Sequence, residues 1–345
     1  MNGVIESFML QIRNDLPAGF LTVSAADLHR HFQGPTLIHL PGQRAPAVFV
    51  SILLHGNEDV GLKAIQQVLT AFADRVLPRE LMLFIGNIEA AQHGVRMLPQ
   101  QEDFNRVWPG TTHPESALTR CMSQVVEHVR RAGVFVSLDL HNNTGTNPLY
   151  SCIETVDAKT IQLALLFSRT MVYFRVPLGV QTGAMSQLCP AITCECGKVG
   201  DASGVDRAAQ VVDACLHMLE LPTHWPVRED FHLLHSIATV KISPHWSIAF
   251  GDQDGNADLT FPADFDHWNF RPLPVGTILG RRRPGSLATL AIENEFGQEI
   301  TSSVIRLLDD QIILQRAVIP AMLTLNVQVI RDDCLGYFME EYPVV

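Results

Sequence analysis

Two runs of mostly apolar residues in this chain each end in a histidine: residues 48–54 lead into His55, and residues 134–140 lead into His141. Runs of this length and character read as buried strands, so both histidines stand at strand ends. His55 is followed at once by Gly56, Asn57 and Glu58, and His141 comes 83 residues after Glu58. A close His-x-x-Glu pair with one distant His is the donor set of a catalytic zinc site, which keeps its fourth position open for water. In an open α/β sheet, the crevice beyond the carboxyl ends of the strands is where such side chains converge.

The intervening sequence supports that architecture. Residues 60–75 carry Leu62, Ile65, Leu69 and Phe72 at three- and four-residue steps, the pattern of an amphipathic helix. A strand over 81–85, a polar loop over 86–116, a helix over 115–132 and the strand ending at His141 follow, then a helix near 158–170, a strand over 191–195 and a helix over 206–219. This alternation predicts an α/β fold, a mixed and largely parallel sheet flanked by helices. Residues 221–230 hold two prolines and few helix formers, and mark a boundary. Beyond them lie short β-rich runs at 235–242, 259–261, 277–279, 287–292 and 311–315. The expected organisation is a catalytic domain over 1–230 and a smaller, mainly β domain over 231–345.

Composition narrows the partners. With 25 Lys and Arg against 36 Asp and Glu, the formal charge is −11, which disfavours attraction to nucleic acid or anionic membranes. The segment from Met1 to Arg13 lacks a secretory pattern, and no stretch reaches the roughly 20 apolar residues of a membrane span. A cytoplasmic location and reduced thiols for the seven cysteines are expected. Oligomeric state is not legible.

Four short motifs occur in order: His55-Gly56-Asn57-Glu58, Asp103-Phe104-Asn105-Arg106, Asp139-Leu140-His141-Asn142 and Glu195-Cys196-Gly197. Together they resemble the succinylglutamate desuccinylase and aspartoacylase family, a branch of the zinc carboxypeptidase superfamily. The resemblance implies one zinc ion on His55, Glu58 and His141, which lowers the pKa of its water toward neutrality and polarises a carbonyl. It places Glu195 at the family's catalytic position, where a carboxylate takes the water's proton and passes it to the departing nitrogen. It assigns Asn105 and Arg106 to the substrate carboxylate, whose geometry a guanidinium fork matches. Arg96 corresponds to the residue that helps polarise the scissile carbonyl, although nine residues separate it from Asn105, more than in the family pattern. Tyr337 and Tyr342 are unranked candidates for a substrate contact from the second domain.

Simpler readings compete with each assignment. A strand-end histidine serves as a hydrogen-bonded turn residue, Glu195 caps the turn at Gly197, and Arg106 forms a surface pair with Asp103 or Glu102. Asp139 either orients His141 or closes a strand-end hydrogen bond. Cys189, Cys194 and Cys196 read as small buried hydrophobes, and His29 and His31 as solvated or helix-facing residues.

The function expected is zinc-dependent hydrolysis of the amide bond of an N-acyl amino acid or similar small acidic amide, with water as nucleophile and Glu195 as general base. A carboxypeptidase acting on short peptides, an esterase, and a non-catalytic zinc-containing binding protein are the alternatives. The β domain is expected to shape the site's entrance, as the second domain does in the family.

Overall fold

The computed structural model describes residues 9–251 and 256–343. The start of the Met1 to Arg13 segment, read above for a secretory pattern, lies outside the described residues. The chain divides into two compact units, one of residues 1–142 and 149–232, the other of residues 143–148 and 233–345.

The first unit is built on β1 (Gln11–Arg13), β2 (Thr36–Leu40), β3 (Ala47–Ile52), β4 (Leu81–Ile85), β5 (Val134–Asn143), β6 (Tyr150–Ile153), β7 (Thr170–Tyr173) and β8 (Ala191–Lys198). They lie in the order β1-β2-β4-β3-β5-β8-β6-β7. The β1–β2, β3–β4, β3–β5 and β6–β7 pairs are parallel, and β2–β4 and β6–β8 antiparallel, so the sheet is mixed and largely parallel as expected. All six residues of β3 and all five of β4 are buried. Continuous apolar runs of this kind suit strands covered on both faces.

The helices are α1 (Val60–Ala71), α2 (Ile88–His93), α3 (Ala117–Ala132), α4 (Ala158–Phe167), α5 (Gln181–Ser186) and α6 (Ala202–His217). In α1 and its C-cap the predicted stripe of Leu62, Ile65, Leu69 and Phe72 is buried. Helix α3 opens with a capping box, Ser116 accepting from Thr119 N–H while the Thr119 hydroxyl accepts from Ser116 N–H. Such a cap stabilises a helix by about 1 kcal/mol. Its apolar face, with Met122, Val125 and Val129, joins Phe49, Phe84, Phe104 and Trp108 in one core.

One expectation changes. Residues 86–116 are not loop throughout, because Asn87 accepts from Ala90 N–H and Gly94 ends α2 in the left-handed conformation, with φ of 62°. The segment bearing His29 and His31 is helical, Ala25–Arg30 forming a 3-10 turn capped by Ser24 and followed by His31. Two histidines at alternate positions of such a turn do not share a face.

The second unit holds β9 (His232–Ile242), β10 (Ile248–Phe250), β11 (Leu259–Phe261), β12 (Ile278–Arg282), β13 (Leu290–Asn294), β14 (Ile305–Leu308), β15 (Gln311–Leu314), β16 (Ile319–Ala321) and β17 (Gly336–Glu341), with short helices α7 (Thr301–Val304) and α8 (Val327–Asp332). Strand β9 pairs antiparallel with β13 and β17, and β17 with β16. A five-stranded sheet runs β10-β11-β12-β15-β14. This unit is mainly β, with an apolar centre around Val240, Phe261, Phe265, Leu290 and Ile312. Tyr337 lies in register with Ala321 and Thr239, and Tyr342 N–H donates to the Leu233 carbonyl.

The cysteines are free, Cys194 and Cys196 fully buried. Among the described residues no helix is long and apolar enough to cross a membrane.

Candidate metal centre

The site begins where β3 ends. Leu53, fully buried, holds a φ of 53°, unusual for a branched side chain, and turns the chain out of the sheet. Gly86 N–H donates to Ile52 and Asn87 N–H to Leu53, which fixes that turn against the end of β4. His55 follows, and Glu58 N–H donates back to its carbonyl at 3.1 Å, folding the Glu58 carboxylate onto the imidazole. Gly56 has no room for a side chain, because a Cβ there would stand 2.2 Å from Ala91 N on α2.

His141 arrives from β5. Its Nδ1 lies 2.8 Å from Glu58 Oε2, and His55 Nδ1 lies 2.9 Å from Glu58 Oε1. One ligand atom from each of the three buried residues lies within 4.8 Å of the others. Both remaining ring nitrogens are engaged, His55 Nε2 with Asp103 Oδ1 at 3.1 Å and His141 Nε2 with Asp139 Oδ2 at 2.8 Å. A carboxylate that accepts the Nε2 proton leaves the Nδ1 lone pair available, which is how metal-ligating histidines are oriented. Two imidazoles and a carboxylate converging in this way fit zinc.

The supporting shell is dense. Ser51 and Asp139 are level on the parallel β3–β5 ladder, and the Ser51 hydroxyl donates to Asp139 Oδ1 at 2.6 Å. Asn142 N–H donates to Glu58 Oε2, while its side chain accepts from Val60 N–H and donates to the Gly197 carbonyl. Burial alone would raise the Glu58 carboxyl, but the two histidines outweigh it and hold it well below the usual range. Burial likewise opposes ionisation of Asp103, where His55 and Arg96 prevail.

Arg96 Nη2 donates to Asp103 Oδ2 at 2.9 Å, and its Nη1 lies 3.8 Å from Glu58 Oε1, so this guanidinium stands at the edge of the donor cluster. Asn105 is buried in the same shell, its Oδ1 accepting from Gln181 N–H and its Nδ2 lying 3.3 Å from Asp139 and 3.2 Å from His141 Nε2. Arg106 is half-buried, with Nη1 donating to the Asn105 carbonyl. The loop is anchored by Trp108, which is fully buried, meets Phe84 edge-on and donates from Nε1 to the Phe104 carbonyl.

Glu195 lies on β8, beside β5. Ser137 N–H donates to Pro190 and Asn142 Nδ2 to Gly197, so the two strands advance together and His141 stands about level with Glu195. Glu195 and Asp139 act after burial to raise the nearby Cys152 thiol. Cys194 and Cys196 sit fully buried on either side of Glu195.

Residues 44–220 match the succinylglutamate desuccinylase/aspartoacylase catalytic domain. The chain belongs to this family. Family membership implies an amide hydrolase. None of the curated protein sequences matches the chain. Among solved structures, the chain is similar to succinylglutamate desuccinylase from Chromobacterium violaceum, with a TM-score of 0.52 and 18% identity over 72% of this chain and 85% of that one. Murine aminoacylase 3 gives a TM-score of 0.52 at 16% identity, covering 88% of this chain and 98% of that one. A succinylglutamate desuccinylase/aspartoacylase from Rhodobacter sphaeroides gives 0.53 at 13% identity, covering 88% of each chain. At these identities the likeness is one of fold.

Sequence reasoning under-read Asp103, naming it only in a motif and as a rival partner for Arg106. Its oxygens join His55 and Arg96. The signal was its place two residues before Asn105. Ser51 and Gln181 carried none, since their roles depend on strand register and loop path.

Proposed function

We propose that the protein is a zinc-dependent hydrolase that cleaves the amide bond of an N-acyl amino acid, releasing a carboxylate and a free amine. The observation that carries this reading is the convergence of His55 Nδ1, Glu58 and His141 Nδ1, with each Nε2 backed by a carboxylate. A zinc ion held by these three residues supplies a Lewis acid and a water acidified toward neutral pH.

The remaining work falls to side chains. Glu195 takes a proton from the attacking water and delivers it to the amide nitrogen as the C–N bond breaks. Arg96, fixed by Asp103, donates to the carbonyl oxygen as negative charge develops there. Arg106 grips the substrate's α-carboxylate, and Asn105 holds the loop against His141 while offering its amide to the same anion. Burial of His55, Glu58, Asp139 and His141 limits water around the reacting atoms and strengthens these interactions.

The test is hydrolysis of a panel of N-acyl amino acids, the corresponding esters and blocked short peptides by the zinc-loaded protein and its Glu195→Gln variant. Amine release from N-acyl amino acids is expected, falling by about 10²- to 10⁴-fold in the variant with zinc retained. Cleavage of peptides alone would establish a carboxypeptidase, and an unchanged rate in Glu195→Gln would remove Glu195 from the mechanism.

A further inference from the structure

One carboxylate on the face of Glu195 takes no part in the arrangement above. Glu154 follows directly on β6, and strand register gives its direction. Tyr150 pairs with Glu195 and Cys152 with Thr193 on the antiparallel β6–β8 ladder. Opposed residues share a face, as do residues two apart on one strand, so Tyr150 and Cys152 lie on the side of Glu195, and Glu154, just past the strand, reaches the helix held to Thr193 on that same side. Ser151 and Ile153 point the other way, both fully buried, and the Ser151 hydroxyl donates to Ala164 on α4. Cys152 is partly exposed although its strand is internal.

That face is bounded by α5, which the Thr182–Thr193 hydroxyl contact of 2.6 Å holds to β8. The Glu154 carboxylate rests on α5 where the helix lacks a side chain. A Cβ at Gly183 would stand 2.4 Å from Oε1 and 2.8 Å from Oε2. Glu154 makes no hydrogen bond or ion pair with any described residue. No charged residue occurs in α5 itself. Burial pushes this carboxyl up to about 7, the value of an acid poised to ionise when a cation arrives.

Distance completes the case. Four residues at about 3.3 Å each set the Glu154 backbone roughly 13 Å along the strand from the level of Glu195. With a contact of about 3 Å at either end, the span suits a substrate side chain of three or four methylenes.

We propose that Glu154 is a specificity-determining residue whose carboxylate receives an ammonium or guanidinium group at the end of the substrate's amino-acid side chain, making N-acyl derivatives of basic amino acids the preferred substrates. This rests on the amide-hydrolase reading above and names its substrate class. The cation supplies the partner that the fold withholds, while an acidic side chain at the same place is repelled.

The test measures kcat/KM of the zinc-loaded protein and of Glu154→Gln on Nα-acetyl-lysine, Nα-acetyl-norleucine and Nα-acetyl-glutamate at pH 8. The wild type is expected to favour lysine over norleucine by about 10- to 100-fold, the range of a charge-assisted hydrogen bond. Glu154→Gln removes that preference through KM and leaves the norleucine substrate within about threefold. Equal rates on lysine and norleucine in the wild type, or an equal loss on both in the variant, would overturn the proposal. If no member of the set is hydrolysed, the amide-hydrolase reading is decided on the wider N-acyl panel above, and Glu154 is judged by calorimetric binding of free lysine and norleucine. Lysine binding that weakens by about tenfold or more in Glu154→Gln upholds the assignment, and lysine binding no tighter than norleucine refutes it.

Discussion

His141 Nε2 lies 2.8 Å from Asp139 Oδ2, two residues earlier on the same strand. The period of two that puts alternate side chains on one face makes this contact local, and Ser51 on the adjacent strand fixes the carboxylate's other oxygen at 2.6 Å. The imidazole is thereby held with Nδ1 toward Glu58 before any metal arrives. Asp139→Asn is expected to weaken zinc binding by about 10- to 100-fold, measured by competition with a chelator of known affinity. An unchanged affinity would assign Asp139 to strand packing alone.

Trp108 ties the loop of Arg96, Asp103, Asn105 and Arg106 to the core. It is fully buried, and besides its Nε1 bond to Phe104 its backbone N–H donates to the Gly179 carbonyl. Trp108→Ala is expected to destabilise the protein by about 3–5 kcal/mol in urea denaturation, the usual range for emptying a buried aromatic site. A loss under about 1 kcal/mol would show that the loop is held by other means.

Glu154 should also shape stability against pH. Burial raises its carboxyl from the ordinary 4.5 to about 7, so the folded state binds this proton more tightly than the unfolded chain does. The associated stability is full below about 4.5 and is lost as pH rises through about 7. Glu154→Gln is therefore expected to stabilise the protein at pH 8 by about 1–3 kcal/mol, reduced from the full shift by partial solvent exposure, and to change little at pH 4.5. Denaturation midpoints of both proteins at the two pH values check this, and equal differences at both would contradict it.

The candidate metal donors are legible in the sequence because the end of an apolar run marks the end of a strand, and both histidines stand there. Asp103 is less so. Sequence proximity suggests a pair with Arg106, which does act on Asp103, but the loop's path also delivers Asp103 to Arg96 and His55, contacts 7 and 48 residues apart. Helix α2 escapes detection because its six residues are too few to show a period, although Asn87 and Gly94 carry its capping signals. Glu154 is invisible for a different reason. Its position depends on β6 pairing antiparallel with β8 and on a glycine in α5, neither of which a four-residue strand announces. The α1 stripe and the β3 and β4 runs are readable because long elements repeat their pattern often enough to be recognised.

The most direct test of the central claim is zinc content and hydrolysis followed together through metal removal and return, in the wild type and in His141→Ala. One zinc per wild-type chain is expected, with N-acyl amino acid hydrolysis lost on chelation and restored by zinc, and with His141→Ala losing both metal and activity. Full activity in zinc-free protein, or in a His141→Ala variant that binds no zinc, would contradict the account.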